Sequence, residues 1–434
     1  MALVGTLVLA LFGSVAALGA IPLSTPVPTA TAPSAATSLA TDTLSRIALL
    51  EGALRNTPTN AKAWTDLGRA YVRRAYETGD PTFYGLADRS FTMATKQRGD
   101  AVLITLGRSG LALARHDFPR AHRLAEEVLT ARPDSIEGLI NRTDADVELG
   151  RYGEATADVE TLLDRSPGVA ALARLSYVRQ LNGDLPGALV AMRQAVSAAG
   201  GGGVDRAVAR TYLGDILLEK GDLPGARRAY DLALTDDARL PIAIIGQART
   251  LAATGGTAKA VSLLQALTAR FPTPGALILL ADRQRADGDA KAAADTDQIV
   301  RATEKLFEAN GADVDVEMAV FEADRGNAAR AFMLATKAYR TRMTIFTADA
   351  MAWALLKAGR ATDAVPFAEQ AVKSDPAVAS VDYHAAAVFA ATGATSRAAD
   401  AIRRASRNPW FSSSQADAAA QLAQQLHVSW PTRS

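Results

Sequence analysis

One alanine recurs in the same local setting ten times along this chain: Ala87, Ala121, Ala155, Ala188, Ala226, Ala260, Ala293, Ala331, Ala364 and Ala398, at steps of 34, 34, 33, 38, 34, 33, 38, 33 and 34 residues. Self-similarity at a fixed period of this size is the mark of a stacked array of like units, not of one compact core. The hexapeptide "GDLPGA", present at 183–188 and again at 221–226, is the same point of two such units. It ends on the recurring alanine and begins on a second periodic position. Five residues before each alanine from Ala155 onward stands a glycine: Gly150, Gly183, Gly221, Gly255, Gly288, Gly326, Gly359 and Gly393, with His116 in that place one unit earlier. A glycine there predicts a helix end in the left-handed conformation, where a Cβ costs roughly 1 kcal/mol or more. The alanine starts the buried stripe of a second helix, where a larger side chain would overpack by about 1–3 kcal/mol. Seven residues on comes another small or medium apolar residue (Ala94, Val128, Leu162, Ala195, Ala233, Leu267, Val300, Ala338, Ala371 and Ala405), which keeps that face aligned.

Proline closes several units at Pro58, Pro133, Pro167, Pro272 and Pro376, where a second helix should stop. "WTDLGRAY" at 64–71 and "YLGD" at 212–215 supply the large-Leu-Gly pattern of a first helix. On these residues the chain resembles the tetratricopeptide-repeat family, whose unit is a 34-residue helix-turn-helix. The resemblance covers about residues 42–409. It implies an all-α fold: a right-handed α-solenoid of about ten repeats, with capping helices at Thr43 to Asn56 and Ser414 to Leu426. Each unit should touch only its neighbours. The first unit carries about seven extra residues around "YETGDPTFY", and the two 38-residue steps mark insertions at "AAGGGGVD" and near "LFEANGADVDVE". The "LFEANGADVDVEMAVFEADRGN" segment also resembles one in uncharacterised exported or membrane-anchored repeat proteins of high-GC bacteria.

Outside the array, Ala2 to Ile21 is 20 residues without a charge, and the first charged side chain is Asp42. At about 1.5 Å per residue such a helix would be roughly 30 Å long, enough for a bilayer core. Residues 1–21 therefore read as a signal peptide or membrane anchor, although no Lys or Arg precedes the apolar stretch, as one normally would. Residues 22–41, rich in Pro, Ser, Thr and Ala, read as an extended linker, and 410–434 as the C-terminal cap and tail. The expected location is membrane-anchored or secreted, with the solenoid extracytoplasmic.

Charge and chemistry narrow the function class. With 47 basic and 46 acidic residues, a formal charge of +1 and no polybasic field, nucleic acid is not an expected partner. The absence of cysteine excludes disulfides, thiolate metal sites and Cys nucleophiles. His116 and His122, six apart, do not share a helix face for a metal. "GGTAKA" at 255–260 lacks the Gly-Lys-Ser/Thr ending of a phosphate loop and reads as a turn. The acids of "DVDVE" at 313–317 suit the start of a helix, where free N–H groups attract them. "NRT" at Asn141 is formally a glycan acceptor but falls inside a helical pattern. No enzyme is expected, and no cofactor or metal.

The resemblance then implies a binding surface. In this family the first helices line a concave groove, and mapping its groove positions onto this chain gives Asp144, Tyr177, Thr211, Asp215, Arg249, Asp282, Arg285, Trp353 and Tyr383. Mixed charges with aromatics suit a protein or peptide partner. The Lys and Asn with which some members grip acidic C-terminal tails are missing, since the corresponding positions here are apolar, acidic or aromatic. The expected role is a non-catalytic protein-interaction scaffold. The alternative is an accessory or assembly factor that releases its client. Membrane contact would run through residues 2–21 if they are uncleaved.

Overall fold

In the computed structural model, the described residues are 42–200, 203–409 and 415–431. The signal-peptide or anchor segment, the 22–41 linker and Ser414 lie outside them. Among the described residues there are 22 α-helices and no strands. A single helix, α1 (Thr43–Asn56), precedes ten pairs. The first five pairs are α2 and α3 (Ala61–Thr78, Thr82–Lys96), α4 and α5 (Ala101–Ala114, Phe118–Ala131), α6 and α7 (Ile136–Glu148, Tyr152–Arg165), α8 and α9 (Val169–Leu181, Leu185–Ala198), and α10 and α11 (Val204–Glu219, Leu223–Asp236). The second five are α12 and α13 (Pro241–Ala253, Thr257–Thr268), α14 and α15 (Pro274–Ala286, Ala290–Ala309), α16 and α17 (Asp315–Asp324, Ala328–Thr341), α18 and α19 (Ile345–Lys357, Ala361–Ala371), and α20 and α21 (Ala379–Ala391, Thr395–Ala405). A last helix, α22 (Ala416–Gln425), caps the end.

The periodic residues do what their spacing predicts. All ten alanines are 0% exposed. The eight turn glycines have φ between 73° and 90°, and His116 adopts the same left-handed conformation at φ 59°. "GDLPGA" can now be read letter by letter. Gly183 closes α8, and Asp184 caps α9 by accepting from the Gly187 N–H at 2.8 Å. Pro186 occupies the first turn, where its missing N–H costs nothing. A Cβ on Gly187 would collide with the Asp184 carboxylate, so the cap needs a bare backbone there. The second copy repeats the arrangement with Asp222, Gly225 and Ala226. Insertions are absorbed as helix length or linker: α2 runs to 18 residues and α15 to 20, while Gly200 and Gly203 flank the other with φ 66° and 92°.

Each helix packs on its pair partner and on the next unit, and the first helices of neighbouring units also touch one another. Second helices of neighbouring units make no comparable contact, so the ribbon curves with its first helices inside. Two aromatic side chains show how tightly. Phe91 fits between Gly68 and Gly107, and Tyr230 between Gly214 and Gly246, each ring sitting where a Cβ on either glycine would be.

The curvature closes the ribbon onto itself, which overturns the expectation of nearest-neighbour contacts alone. The turn ending the first helix of a unit lies against the linker that follows the unit five places further on, and this happens five times in register. Gly79 meets Phe271 and Thr273, Gly150 meets Met343, Gly183 meets Ser374, and Gly221 meets Arg407. In the second unit the Asp313 N–H donates to the Arg115 carbonyl at 2.8 Å, and His116 Nδ1 donates to the Asp313 carbonyl at 2.7 Å. A full superhelical turn thus takes between five and six units, and consecutive turns touch along a continuous seam. Glycine is needed at the seam for a second reason: a Cβ at Gly150 would lie 2.7 Å from the Met343 carbonyl oxygen.

Candidate binding surface on the inner face

The inner face is built by α6, α8, α10, α12, α14, α16, α18 and α20. Their sequences are apolar well beyond one stripe, as in "PGALILLADRQRA" of α14 and "IFTADAMAWALLK" of α18. A helix apolar all round is one buried all round. Pro274 to Gln284 is an unbroken buried run, as is Ile345 to Leu355.

The mapped groove residues all fall on these helices, and the structure places most of them under cover. Tyr177, Thr211, Asp215, Arg249, Asp282, Trp353 and Tyr383 are exposed by 8% or less. Asp144 is part-buried and Arg285 is the most open of the set. The charged members are engaged within the chain. Asp144 takes a two-pronged bond from Arg174 of the next unit at 2.8 and 2.6 Å. Arg249 reaches back to Asp215 at 3.3 Å and to Glu219 at 3.9 Å. Asp282 pairs with Arg325 at 2.9 Å, and Arg325 and Arg285 share Asp297 at 2.8 Å each. Trp353 Nε1 donates to Asp324 at 2.9 Å, and its ring stacks on His384 at 4.0 Å. These bonds run from one first helix to the next or to the adjoining second helix, and they tie the wall together.

Burial governs the protonation of this wall. It pushes Asp215 up to about 6 and Glu219 to about 7, against the pull of Arg249 on both. Asp144 and Asp282 are raised for the same reason, with Arg174 and Arg325 opposing. His384 sits fully buried between Asp349, 2.9 Å from its Nδ1, and Gln415, 3.2 Å from its Nε2.

The sequence features set aside as chemistry have structural positions. Asn141 is 1% exposed within α6. Gly255 is a left-handed turn and Thr257 opens α13, so "GGTAKA" is a turn followed by a helix. Asp313 accepts from the Asp315 N–H at the start of α16, as acids at a helix start do. His116 lies on the seam, while His122 Nδ1 lies 2.9 Å from the Asp146 carboxylate on the neighbouring helix. Among the described residues no helix is long and apolar enough to cross a membrane, and no group of three or more His, Asp and Glu could hold a metal ion.

Paired helices stacked into a curved ribbon, with first helices forming an inner wall, define an α-solenoid. Residues 182–241 and 350–413, under a third of the chain, match the family model described as tetratricopeptide repeat. No curated protein matches the chain by sequence. Similar solved structures include PilW, described as a widely conserved type IV pilus biogenesis factor, at 17% identity over 47% of this chain and 94% of that one (TM-score 0.39). Yeast Tom70 is similar at 13% identity over 85% and 95% of the two chains (TM-score 0.36). The human IFIT1 dimer with PPP-AAAA is similar at 12% identity over 84% and 87% (TM-score 0.47). Identities this low say nothing of the partner of this chain.

Proposed function

We propose that this chain is a non-catalytic protein-interaction scaffold whose partner, a peptide or protein segment, is received along the inner wall of the superhelix. Tetratricopeptide repeats generally mediate protein–protein interactions. The observation that carries the finer reading is the inner wall itself: its helices keep partly exposed apolar residues such as Leu213, Leu251 and Ala387 beside charged groups, with Arg285 the most open of the mapped set. That mixture suits an apolar partner segment with polar contacts fixing its register. Ion pairs such as Arg249 with Asp215 make the wall stiff, so less order is lost on binding. The apolar character of residues 2–21 supports export, with the solenoid working outside the cytoplasm.

The test is site-specific photo-crosslinking in the producing cells. A photoreactive residue is placed at Ala253 or Arg285 on the inner wall, or at Gln194 on the outside of α9. The expected result is a discrete adduct from the two inner positions only. Equal adducts from Gln194 would move the binding surface to the outer face. Protease treatment of intact cells checks the location, with the solenoid expected to be degraded without lysis.

A further inference from the structure

The helix at the C-terminal end, α22, does more than cover the last unit. An N-cap side chain ordinarily turns back onto the first turn of its own helix. Gln415, at the N-cap of α22, makes no such bond and is nevertheless only 5% exposed. Its amide reaches instead across the first helices of three consecutive units. The NH2 group donates to both carboxylate oxygens of Asp324, at the end of α16, at 3.0 and 3.1 Å. The amide oxygen lies 3.2 Å from Nε2 of His384 on α20. Between the two, α18 supplies Trp353, whose Nε1 donates to the same Asp324 at 2.9 Å and whose ring stacks on His384, and Asp349, which faces His384 Nδ1 at 2.9 Å. Covering a terminal unit needs no such reach. At the other end of the ribbon α1 bonds its own neighbour, through Thr43 with Glu77 and Glu51 with Tyr71 of α2.

We infer that Asp324, Asp349, Trp353 and His384 form a recognition site for a side-chain amide, that Gln415 is its built-in occupant, and that a glutamine on a partner segment enters by displacing it. The donors and acceptors select the amide. A carboxylate can only accept, so Asp324 turns the NH2 group toward itself and leaves the oxygen for His384. A glutamate in that place would set a second carboxylate against Asp324. Lysine or arginine would satisfy Asp324 but brings no acceptor for the histidine. A backbone peptide group carries both functions, but its N–H and C=O point to opposite sides and cannot face one site together. The occupant is also lightly held: the buried residues of α22 are three alanines, Ala416, Ala419 and Ala423, which cover less apolar area than leucines would, and ten residues are too few to keep a helix unsupported. This rests on the reading of the inner wall as the binding surface and names the side-chain chemistry that one part of it takes.

The test uses the full chain and an acetylated, fluorescently labelled peptide of its own residues 415–431, "QADAAAQLAQQLHVSWP". Ala419→Asp with Ala423→Asp puts two charges on the buried side of α22 and should expel it. By fluorescence anisotropy the peptide is expected to bind this variant roughly tenfold or more tightly than the unchanged chain, whose site is filled, and to weaken about tenfold when it carries Gln415→Lys, Gln415→Glu or Gln415→Ala. Equal binding to the variant and the unchanged chain, or none to a variant whose other helices keep their hydrogen-exchange protection, would overturn the built-in occupant. A Gln415→Lys peptide that binds as well as the original would overturn the amide assignment. Should the double variant lose protection throughout, Gln415→Glu in the otherwise unchanged chain decides: exchange should rise in α22 alone, and unaltered protection there would overturn the proposal. No partner is present in these measurements, so their failure is separate from failure of the scaffold reading.

Discussion

At Gly187 the difference between a hydrogen atom and a methyl group decides whether α9 keeps its cap. The Asp184 carboxylate curls over this residue to accept its N–H, and a Cβ would occupy the same space. Gly187→Ala should therefore lower stability by about 1–2 kcal/mol, the loss of an N-cap plus local strain. Gly153, in the first turn of α7, is the control. Nothing lies within reach of a Cβ there, and its cap residue Arg151 offers no side-chain bond. Gly153→Ala should stabilise by about 0.5 kcal/mol because the unfolded chain loses freedom. Urea midpoints of the two variants should move in opposite directions, and a common direction would refute the assignment of the cap.

Individual helix pairs are where the sequence was most legible, and the reasons are local. Left-handed turns demand glycine, and close helix contacts demand alanine, so both leave a periodic trace that needs no knowledge of distant residues. The caps Asp184 and Asp222 were equally local, but their place inside "GDLPGA" became clear only when the neighbouring glycine was seen to make room for the carboxylate. The seam left no such trace. Its contacts join residues 186 to 198 apart, from Gly221 with Arg407 to Arg115 with Asp313, and they depend on the sum of small packing angles over five units. For the same reason the mapped charges carried no sign in the sequence that the chain itself would bury and pair them. Ala226→Leu separates local from distant effects. The alanine is fully buried, so the substitution should cost about 1–3 kcal/mol by overpacking. Hydrogen exchange should rise in α11 and its neighbours, and also in α21, because Gly221 leads into α11 and rests on Arg407 one turn away. Loosening confined to adjacent units would show that the seam carries no energy.

For the whole molecule the seam makes stability depend on pH, with Arg342 at its centre. This side chain is 6% exposed, reaches Glu148 of the opposite turn at 3.4 Å and lies 4.9 Å over the ring of Phe118. Burial pushes Glu148 and Glu317 up to about 8 although Arg342 pulls both down, and the neighbouring Asp144, Asp313 and Asp315 carboxylates work in the same direction as burial. Asp315 in turn pairs with Lys337 at 2.8 Å, and His116 is held down to about 4, chiefly by burial and then by Arg342. A carboxyl whose folded value exceeds its unfolded one contributes stability that is complete below about 4.5 and is lost as pH rises through about 8. A histidine with a lowered value contributes in the opposite sense, above 6.5, and loses that contribution as pH falls through about 4. More carboxyls than histidines are shifted, since Glu219 and Asp382 are also raised to about 7, so the thermal midpoint should be higher at pH 5.5 than at pH 8.5. Arg342→Met removes a cation facing Glu148 across the seam, and breaking a buried pair in this way costs about 3–5 kcal/mol when the carboxylate stays charged. The loss should be largest at pH 8.5 and smaller at pH 5.5, where Glu148 and Glu317 are protonated and need no partner. Adding Glu148→Gln should recover part of it at pH 8.5 and little at pH 5.5. A penalty independent of pH would mean that Arg342 acts through packing on Phe118, and that the two turns are held together by shape and not by charge.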